Sequence, residues 1–440
     1  MKPIKVTFFG NFGTQNLGNE CTLQAIICRT LERMPDARLQ CICPAPEDTV
    51  ARHNISAFDS EATSPKWLRA FAKVWRRPRN TAGTGQTSAQ IGQPDFQTRQ
   101  ITSFAKQLRM LLLRLPKELW HWAKGLAIMR GSRLLIVPGT GHVSDHLTGP
   151  FGGPYDIFKW SAIARLCGAK VLFLSIGAGP IYHPLGRWFV KMGLGFAHYR
   201  SYRDIASKTC LETLGLPVKD DPVCPDLAFG LPRAMLSSGR TSRSPKPVVG
   251  VGLKDYYGPR EKGDQPNANA HRDYLGKMAA FVIWLHERGY PVRVLIGDVS
   301  FDSSVVRCFM GLLKERGLVP EDGMLVSEPA LTVDQLLSQL AATDIVVSPR
   351  FHNLVLALML NKPVIALSDH HKLDSLMVEM DMAEYYVHLR ELNPQILIEK
   401  FLELERNAQT LRPHILRKAE EYRAALDRQY SPIFAAEAEC

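Results

Sequence analysis

The sequence has no Cys-x-x-Cys pair, although it holds nine cysteines, at 21, 28, 41, 43, 167, 210, 224, 308 and 440. Thiols scattered in this way exclude a zinc ribbon, offer no disulfide framework and suit a reducing compartment. No stretch approaches the ~20 uninterrupted apolar residues of a spanning helix. The opening residues, Met1 to Gly10, have too short an apolar run for a signal peptide and read as a first strand. No cluster of carboxylates or histidines calls for a metal. The glycines after that strand do not keep dinucleotide spacing, and the lysine of a P-loop is missing. Acids are locally scarce as well. Between Lys66 and Arg133 stand 14 Lys or Arg and only two acids, Asp95 and Glu118. The whole chain has a net charge of +11, so this one segment carries it and the remainder is close to neutral.

What is present is the material of a globular enzyme. A chain of 440 residues, 45% hydrophobic and 22% charged, suits two domains rather than one core. Strand-like runs alternate with helical ones. Ile4 to Phe9, Arg38 to Ile42, Leu134 to Val137 and Lys170 to Leu174 read as strands, with helices over Glu20 to Met34 and Tyr155 to Leu166. The pattern restarts with Val248 to Leu253, then a helix near His271 to Arg288 and the strand Val292 to Ile296. Helices over Ser303 to Arg316 and Thr332 to Ala341, and strands Asp344 to Val347 and Val364 to Leu367, complete it. Such alternation predicts an α/β fold of two doubly wound parallel, Rossmann-like sheets. The Ser-, Pro- and Gly-rich Leu231 to Pro247 is the expected linker. The expected domains are 1–235, with a basic and partly disordered insert over about 44–133, and 246–400, followed by a helical extension over 401–440.

In the basic segment, Ile101, Phe104, Leu108, Leu112, Leu115, Leu119, Trp122, Leu126 and Met129 recur every three or four residues. They predict one apolar stripe on an amphipathic helix, with Lys106, Arg114, Lys117 and Lys124 turned away from it. Two uses compete, a core-facing helix with a solvated back and a face resting on anionic lipid. Nucleic acid is not the expected partner, because Trp67, Trp75, Trp120 and Trp122 accompany the charge without a recognition motif.

Ligands of open α/β sheets sit beyond the carboxyl ends of strands. Three such ends in the first half are Gly-rich: Gly10 to Glu20, Pro138-Gly139-Thr140-Gly141-His142 and Ser175-Ile176-Gly177-Ala178-Gly179-Pro180. Together they suggest one shared crevice, with His142 and His183 nearby. Arg203 and Asp204 stand at the start of a helix, where Asp204 is placed to cap it. In the second half, Ser348-Pro349-Arg350-Phe351-His352 sets a fixed cation and a titratable imidazole two residues apart after a buried strand. Such a pair can hold an anion and move a proton. It can equally be a loop Arg bound to a carboxylate and a His capping the next helix.

Taken in order, these pieces resemble the polysaccharide pyruvyl transferase family, from Gly10 to about Met380 with the basic insert omitted. The family's Gly-Asn…Gly-Asp-Glu loop is matched by Gly10-Asn11 and Gly18-Asn19-Glu20, with Asn19 in place of the acid. Its Arg-Asp-x-x-Ser element is Arg203 to Ser207, and its Asp before a Phe is Asp226 with Phe229. Its Ser-x-Arg-x-His element is Ser348 to His352, followed by the Lys362-Pro363-Val364-Ile365 turn and Lys372. The resemblance implies a two-domain GT-B fold and a transferase without cofactor, with phosphoenolpyruvate as donor substrate. It also implies a pyruvate ketal on an exopolysaccharide or on its lipid-linked precursor. Arg203, Arg350 and His352 are the expected catalytic residues. The expected substrate contacts, from the Gly-rich ends and the matched motifs, are Asn16, Gly18, Gly177, Gly179, Ser348 and Lys372, with no metal. The expected partners are phosphoenolpyruvate, a glycan or lipid-linked oligosaccharide acceptor and an anionic membrane surface. The expected location is cytoplasmic, peripheral at the inner face of the plasma membrane. Two other readings are a GT-B nucleotide-sugar glycosyltransferase and a non-catalytic membrane-associated assembly factor.

Overall fold

The computed structural model describes residues 3–60, 116–139, 143–145, 148–236, 245–258, 267–318 and 323–438. Their strands form two six-stranded parallel sheets. In the first, β1 (Lys5–Phe9), β2 (Arg38–Cys43), β3 (Ser56–Asp59), β4 (Ser132–Pro138), β5 (Lys170–Ile176) and β6 (Tyr199–Tyr202) lie in the order β3-β2-β1-β4-β5-β6. In the second, β7 (Val249–Gly252), β8 (Val292–Leu295), β9 (Leu325–Ser327), β10 (Ile345–Ser348), β11 (Val364–Ser368) and β12 (Tyr386–His388) lie in the order β12-β11-β10-β7-β8-β9. The two sheets share one topology. In each, the chain reverses direction between the first and fourth strands, and that switch point opens a crevice at the carboxyl ends.

Parallel sheets are covered on both faces, so their central strands are apolar at every position. In β4, Leu134 and Ile136 face one buried cluster while Leu135 and Val137 face another. The first cluster takes in the helix Leu17–Arg33 and runs on through the second sheet. The second lies under the helices 116–129, Gly153–Leu166 and Pro184–Gly195 on the opposite side. The chain ends in a long helix, Pro394–Ala438, that binds the two lobes together. Its Phe401, Leu404, Ile415, Leu426, Tyr430 and Phe434 join the shared core. Its Tyr422 packs edge-on against Phe229 with ring centroids 4.9 Å apart, and Arg423 donates to the Leu231 carbonyl at 2.6 Å.

Several expectations need correction. The first helix begins at Leu17 rather than Glu20, because the Asn16 side chain caps it by accepting from the Gly18 and Asn19 amides. The helix expected from Ser303 begins at Val299 for the same reason, with Asp298 as its cap. Leu231, expected in the linker, is fully buried. Part of the expected insert belongs to the sheet domain: Pro46–His53 is a helix and Ser56–Asp59 an edge strand. The apolar stripe is the largest miss. In the helix 116–129, His121, Gly125, Ile128 and Met129 are buried while Leu119 and Leu126 are exposed. A polar network turns the helix. The buried Lys159 ammonium lies 3.1 Å from His121 Nδ1 and donates to Glu118 at 3.3 Å, and the Tyr155 hydroxyl donates to Glu118 at 2.7 Å. A buried ammonium must be paired, so these polar side chains point inward and the leucines do not. The rest of the stripe, 101–115, lies outside the described residues, as do His142, Trp67 and Trp75.

Candidate active site

The two switch points face each other, and residues beyond β1, β6, β10 and β11 meet between them. After β10 the chain turns sharply. The Ser348 hydroxyl accepts from the Arg350 amide at 3.1 Å, and a side chain at Gly252 would begin 2.2 Å from Ser348 Oγ. Ser348 is fully buried and therefore shapes the turn from behind. Arg350 stands at the start of the helix Phe351–Met359, with His352 in its first turn. That helix packs His352 of the second lobe against the helix Leu17–Arg33 of the first. His352 Nε2 lies 3.5 Å from the Thr22 hydroxyl and 3.7 Å from Asp226 Oδ1, an ion-pair distance longer than a hydrogen bond.

Gly18 makes this approach possible, since a Cβ there would sit 2.0 Å from His352 Nδ1. Gly18→Ala must push the imidazole aside, at an expected cost of about 1–3 kcal/mol, the usual range for overpacking. Urea unfolding tests it. An unchanged midpoint would show that the ring moves freely.

Asp226 is buried at the start of a short helical turn, Leu227–Gly230, where it accepts from the Ala228 amide at 3.0 Å. Its other oxygen accepts from Arg203 Nη1 at 3.1 Å. Burial alone would raise its carboxyl, but His352 and Arg203 outweigh burial and hold it well below the usual carboxylate range. Its contribution to folding is therefore present above the ordinary carboxylate pKa and is lost as pH falls through the folded one. Arg203 precedes Asp204, which caps the helix Ile205–Glu212 by accepting from the Ser207 amide. The Arg203 guanidinium lies 4.9 Å from the Phe351 ring centroid. A Cβ on Gly177 would fall 2.4 Å from its Nη2, so glycine is what lets the side chain pass. Arg203 Nε is buried without a hydrogen bond and lies at ion-pair distance, 3.6 Å, from Asp204 Oδ2.

Arg350, expected among the catalytic residues, is paired with a carboxylate instead. Arg350 is held by Asp302 through two hydrogen bonds, one of them Nε to Oδ2 at 2.9 Å. Asp302 is fully buried and also accepts the Gly297 and Asp298 amides, each at 2.9 Å. The turn fixed in this way clasps the first lobe. The Gly297 carbonyl accepts from the Leu17 amide at 3.0 Å, the Val299 amide donates to the Gln15 carbonyl at 3.0 Å, and Asn16 Nδ2 donates to Asp298 at 3.1 Å. Arg350 and Asn16 are thus parts of an interlobe clasp. Arg203 is likewise paired, with Asp226 through Nη1 and with Asp204 through Nε, while its Nη2 makes no hydrogen bond among the described residues.

The other cation is Lys372, in the first turn of the helix His371–Glu379 after β11. It lines a narrow cleft with Arg203, Asp204, Asp226, Phe351, Glu379 and Tyr422. Among the described residues its ammonium forms neither a hydrogen bond nor an ion pair. Burial, and then the Arg203 and Lys254 cations, pull its pKa down to about 8. The capping His370 is lowered to about 3, mainly by burial and then by Lys372 and His371. Glu379, which accepts from Tyr422, is pushed up by burial. Lys372, half-buried and without a direct ion pair among the described residues, thus lies beside the Arg203 guanidinium in a cleft that also holds the Asp204, Asp226 and Glu379 carboxylates.

Of the expected contacts, Gly18 and Gly177 make room for His352 and Arg203. Gly179 lies elsewhere, with its amide on the Val143 carbonyl at 2.9 Å. His183 caps the helix Pro184–Gly195, away from this cleft. Asp302, Thr22, Glu379 and Tyr422 were not singled out by the sequence, and no local pattern marks them.

The model of the polysaccharide pyruvyl transferases matches residues 28–371. The chain belongs to that family. It is therefore a transferase. The matched span covers Arg203, Asp226, Arg350 and His352, begins after the Gly10–Glu20 loop and stops one residue before Lys372. No curated protein matches the chain. Solved structures show the GT-B architecture shared with sugar-nucleotide enzymes. A glycosyltransferase from Rickettsia africae superposes with a TM-score of 0.54 at 11% identity, covering 99% of this chain and 98% of its own. A UDP-GlcNAc 2-epimerase from Methanocaldococcus jannaschii gives 0.52 at 10%, with 92% and 93% covered. One from Neisseria meningitidis, bound to UDP-GlcNAc, gives 0.51 at 12%, with 96% and 99% covered. At these identities the likeness is one of fold. Among the described residues, no helix is long and apolar enough to cross a membrane.

Proposed function

We propose that this pyruvyl transferase takes phosphoenolpyruvate as donor and builds a pyruvate ketal on two hydroxyls of a glycan or its lipid-linked precursor, without a cofactor. The observation that carries the reading is the Lys372 ammonium, which makes no direct ion pair among the described residues, beside the Arg203 guanidinium in one cleft. A compact anion with a carboxylate and a phosphate suits such a site, because both groups accept charge-assisted hydrogen bonds.

In the first step His352 delivers a proton to the methylene carbon while a sugar hydroxyl oxygen bonds to the adjacent carbon. The proton of that hydroxyl restores His352. In the second step a neighbouring hydroxyl bonds to the same carbon, and phosphate leaves with that hydroxyl's proton as hydrogen phosphate. Arg203 and Lys372 stabilise the charge that shifts onto the leaving phosphate. Asp226 sits between His352 and Arg203, where it would steady an imidazolium.

Mass spectrometry of candidate glycans incubated with enzyme and phosphoenolpyruvate tests the reading. The expected result is a mass gain of one pyruvate ketal together with release of inorganic phosphate. Sugar transfer from UDP- or GDP-sugars with no consumption of phosphoenolpyruvate would replace it with the glycosyltransferase alternative.

The pH dependence follows from Lys372. Its pKa is depressed in the folded protein, so it is largely unprotonated above about pH 8. A bound trianion favours the charged ammonium, and binding near pH 8.5 must then take up protons. Calorimetry in buffers of different ionisation enthalpy reads this uptake directly. Lys372→Gln should abolish it and raise KM. A binding heat that does not vary with buffer would remove Lys372 from the site.

A further inference from the structure

The helices 116–129, Gly153–Leu166 and Pro184–Gly195 lie side by side on the face of the first sheet opposite the helix Leu17–Arg33. The middle helix touches both neighbours. Trp122 and Phe158 have ring centroids 6.3 Å apart, and Phe158 and Trp188 5.4 Å. The outer surface is unusual on two counts. Leu119 (61% exposed), Trp120 (73%), Leu166 (72%) and Trp188 (49%) stand out from it, with Leu126 and Met192 beside them. Among them are the exposed Lys117, Lys124, Arg130, Arg165, Arg187 and Lys191.

No acid of these three helices is exposed. Glu118 and Asp156 are half-buried, and both turn toward Lys159, at 3.3 Å and 4.0 Å. The network that draws Glu118 inward is the one that turns Leu119 and Leu126 outward. Protruding aliphatic and indole groups have little to gain from a phosphodiester backbone, and a purely acidic protein surface would leave them in water. The headgroup region of an anionic bilayer takes both components. Trp and Leu enter the acyl boundary, while Lys and Arg meet lipid phosphates along stems that lie on apolar surface.

We infer that this three-helix face is a docking surface for an anionic membrane. It would set the transferase on a bilayer through side chains of the folded domain, independently of the chemistry in the cleft.

The test uses the intact protein and sedimented vesicles of phosphatidylcholine, with or without about one-third phosphatidylglycerol. The expected result is binding to the anionic vesicles only. The variants Lys117→Glu/Lys124→Glu and Leu119→Ser/Trp120→Ser change exposed residues, so circular dichroism should match wild type. Each should lower the bound fraction about tenfold, because one removes the electrostatic and the other the apolar component of interfacial binding. Absence of wild-type binding, equal binding to neutral vesicles, or unchanged binding by both variants would overturn the inference. The last outcome would place lipid binding in residues other than this face. Retention on immobilised polyglutamate but not on vesicles would identify an acidic protein partner instead, and would equally overturn it. Phosphate release from phosphoenolpyruvate with a soluble acceptor should be the same in both variants, which separates failure here from failure of the proposed chemistry.

Discussion

His352→Ala should lower turnover by about 10²–10⁴-fold, the span usual for an acid–base group, while the protein still folds. An imidazole can both give and take a proton. It is held from three sides, by Thr22 at 3.5 Å, by Asp226 at 3.7 Å and by the Phe351 ring, whose centroid lies 5.2 Å away. Phosphate release from phosphoenolpyruvate measures turnover, and circular dichroism checks the fold. His352→Gln keeps a polar side chain at the lobe contact and should be as inactive as alanine. Turnover close to wild type in either variant would take His352 out of the chemistry.

Arg350→Ala should cost about 3–5 kcal/mol of stability, the range for removing one partner of a buried ion pair. The carboxylate left behind, Asp302, is fully buried and would keep only its two backbone donors. Because that carboxylate fixes the turn holding Gln15 to Leu17, the lobes should also loosen. Urea denaturation reads the loss. The double variant Arg350→Met/Asp302→Leu removes both charges and should recover much of it, since an apolar pair leaves no unpaired ion. An arginine that served substrate alone would give the opposite result, with stability unchanged and KM raised. That outcome would disprove the clasp.

Particular residues show how far the sequence could be read. The cap Asp204, the Gly-rich ends of β1 and β5 and the Arg-x-His segment after β10 all lie where their local patterns place them, because each depends on neighbours a few residues away. Arg350 is different. Its partner stands 48 residues distant on another helix, and the sequence left open whether the guanidinium would meet a ligand or a carboxylate. Lys372 entered only as a matched position, since nothing in its surroundings along the chain announces its place beside Arg203 in the cleft. The helix 116–129 misled for a related reason. Its apolar spacing was real, but which side turns inward was set by a lysine from another helix that needed Glu118 and His121.

The alternation of buried runs and amphipathic helices determined by itself that this chain builds two parallel sheets, and the order of its short motifs pointed to its family. Those signals are local and repeat along the chain, so they survive without coordinates. Only the tertiary structure decided which charges pair directly, leaving Lys372 without an ion pair among the described residues while Arg350 is spent on joining the lobes. The physical reason is that net charge at a site depends on distances between residues far apart in sequence, and folding alone sets those distances.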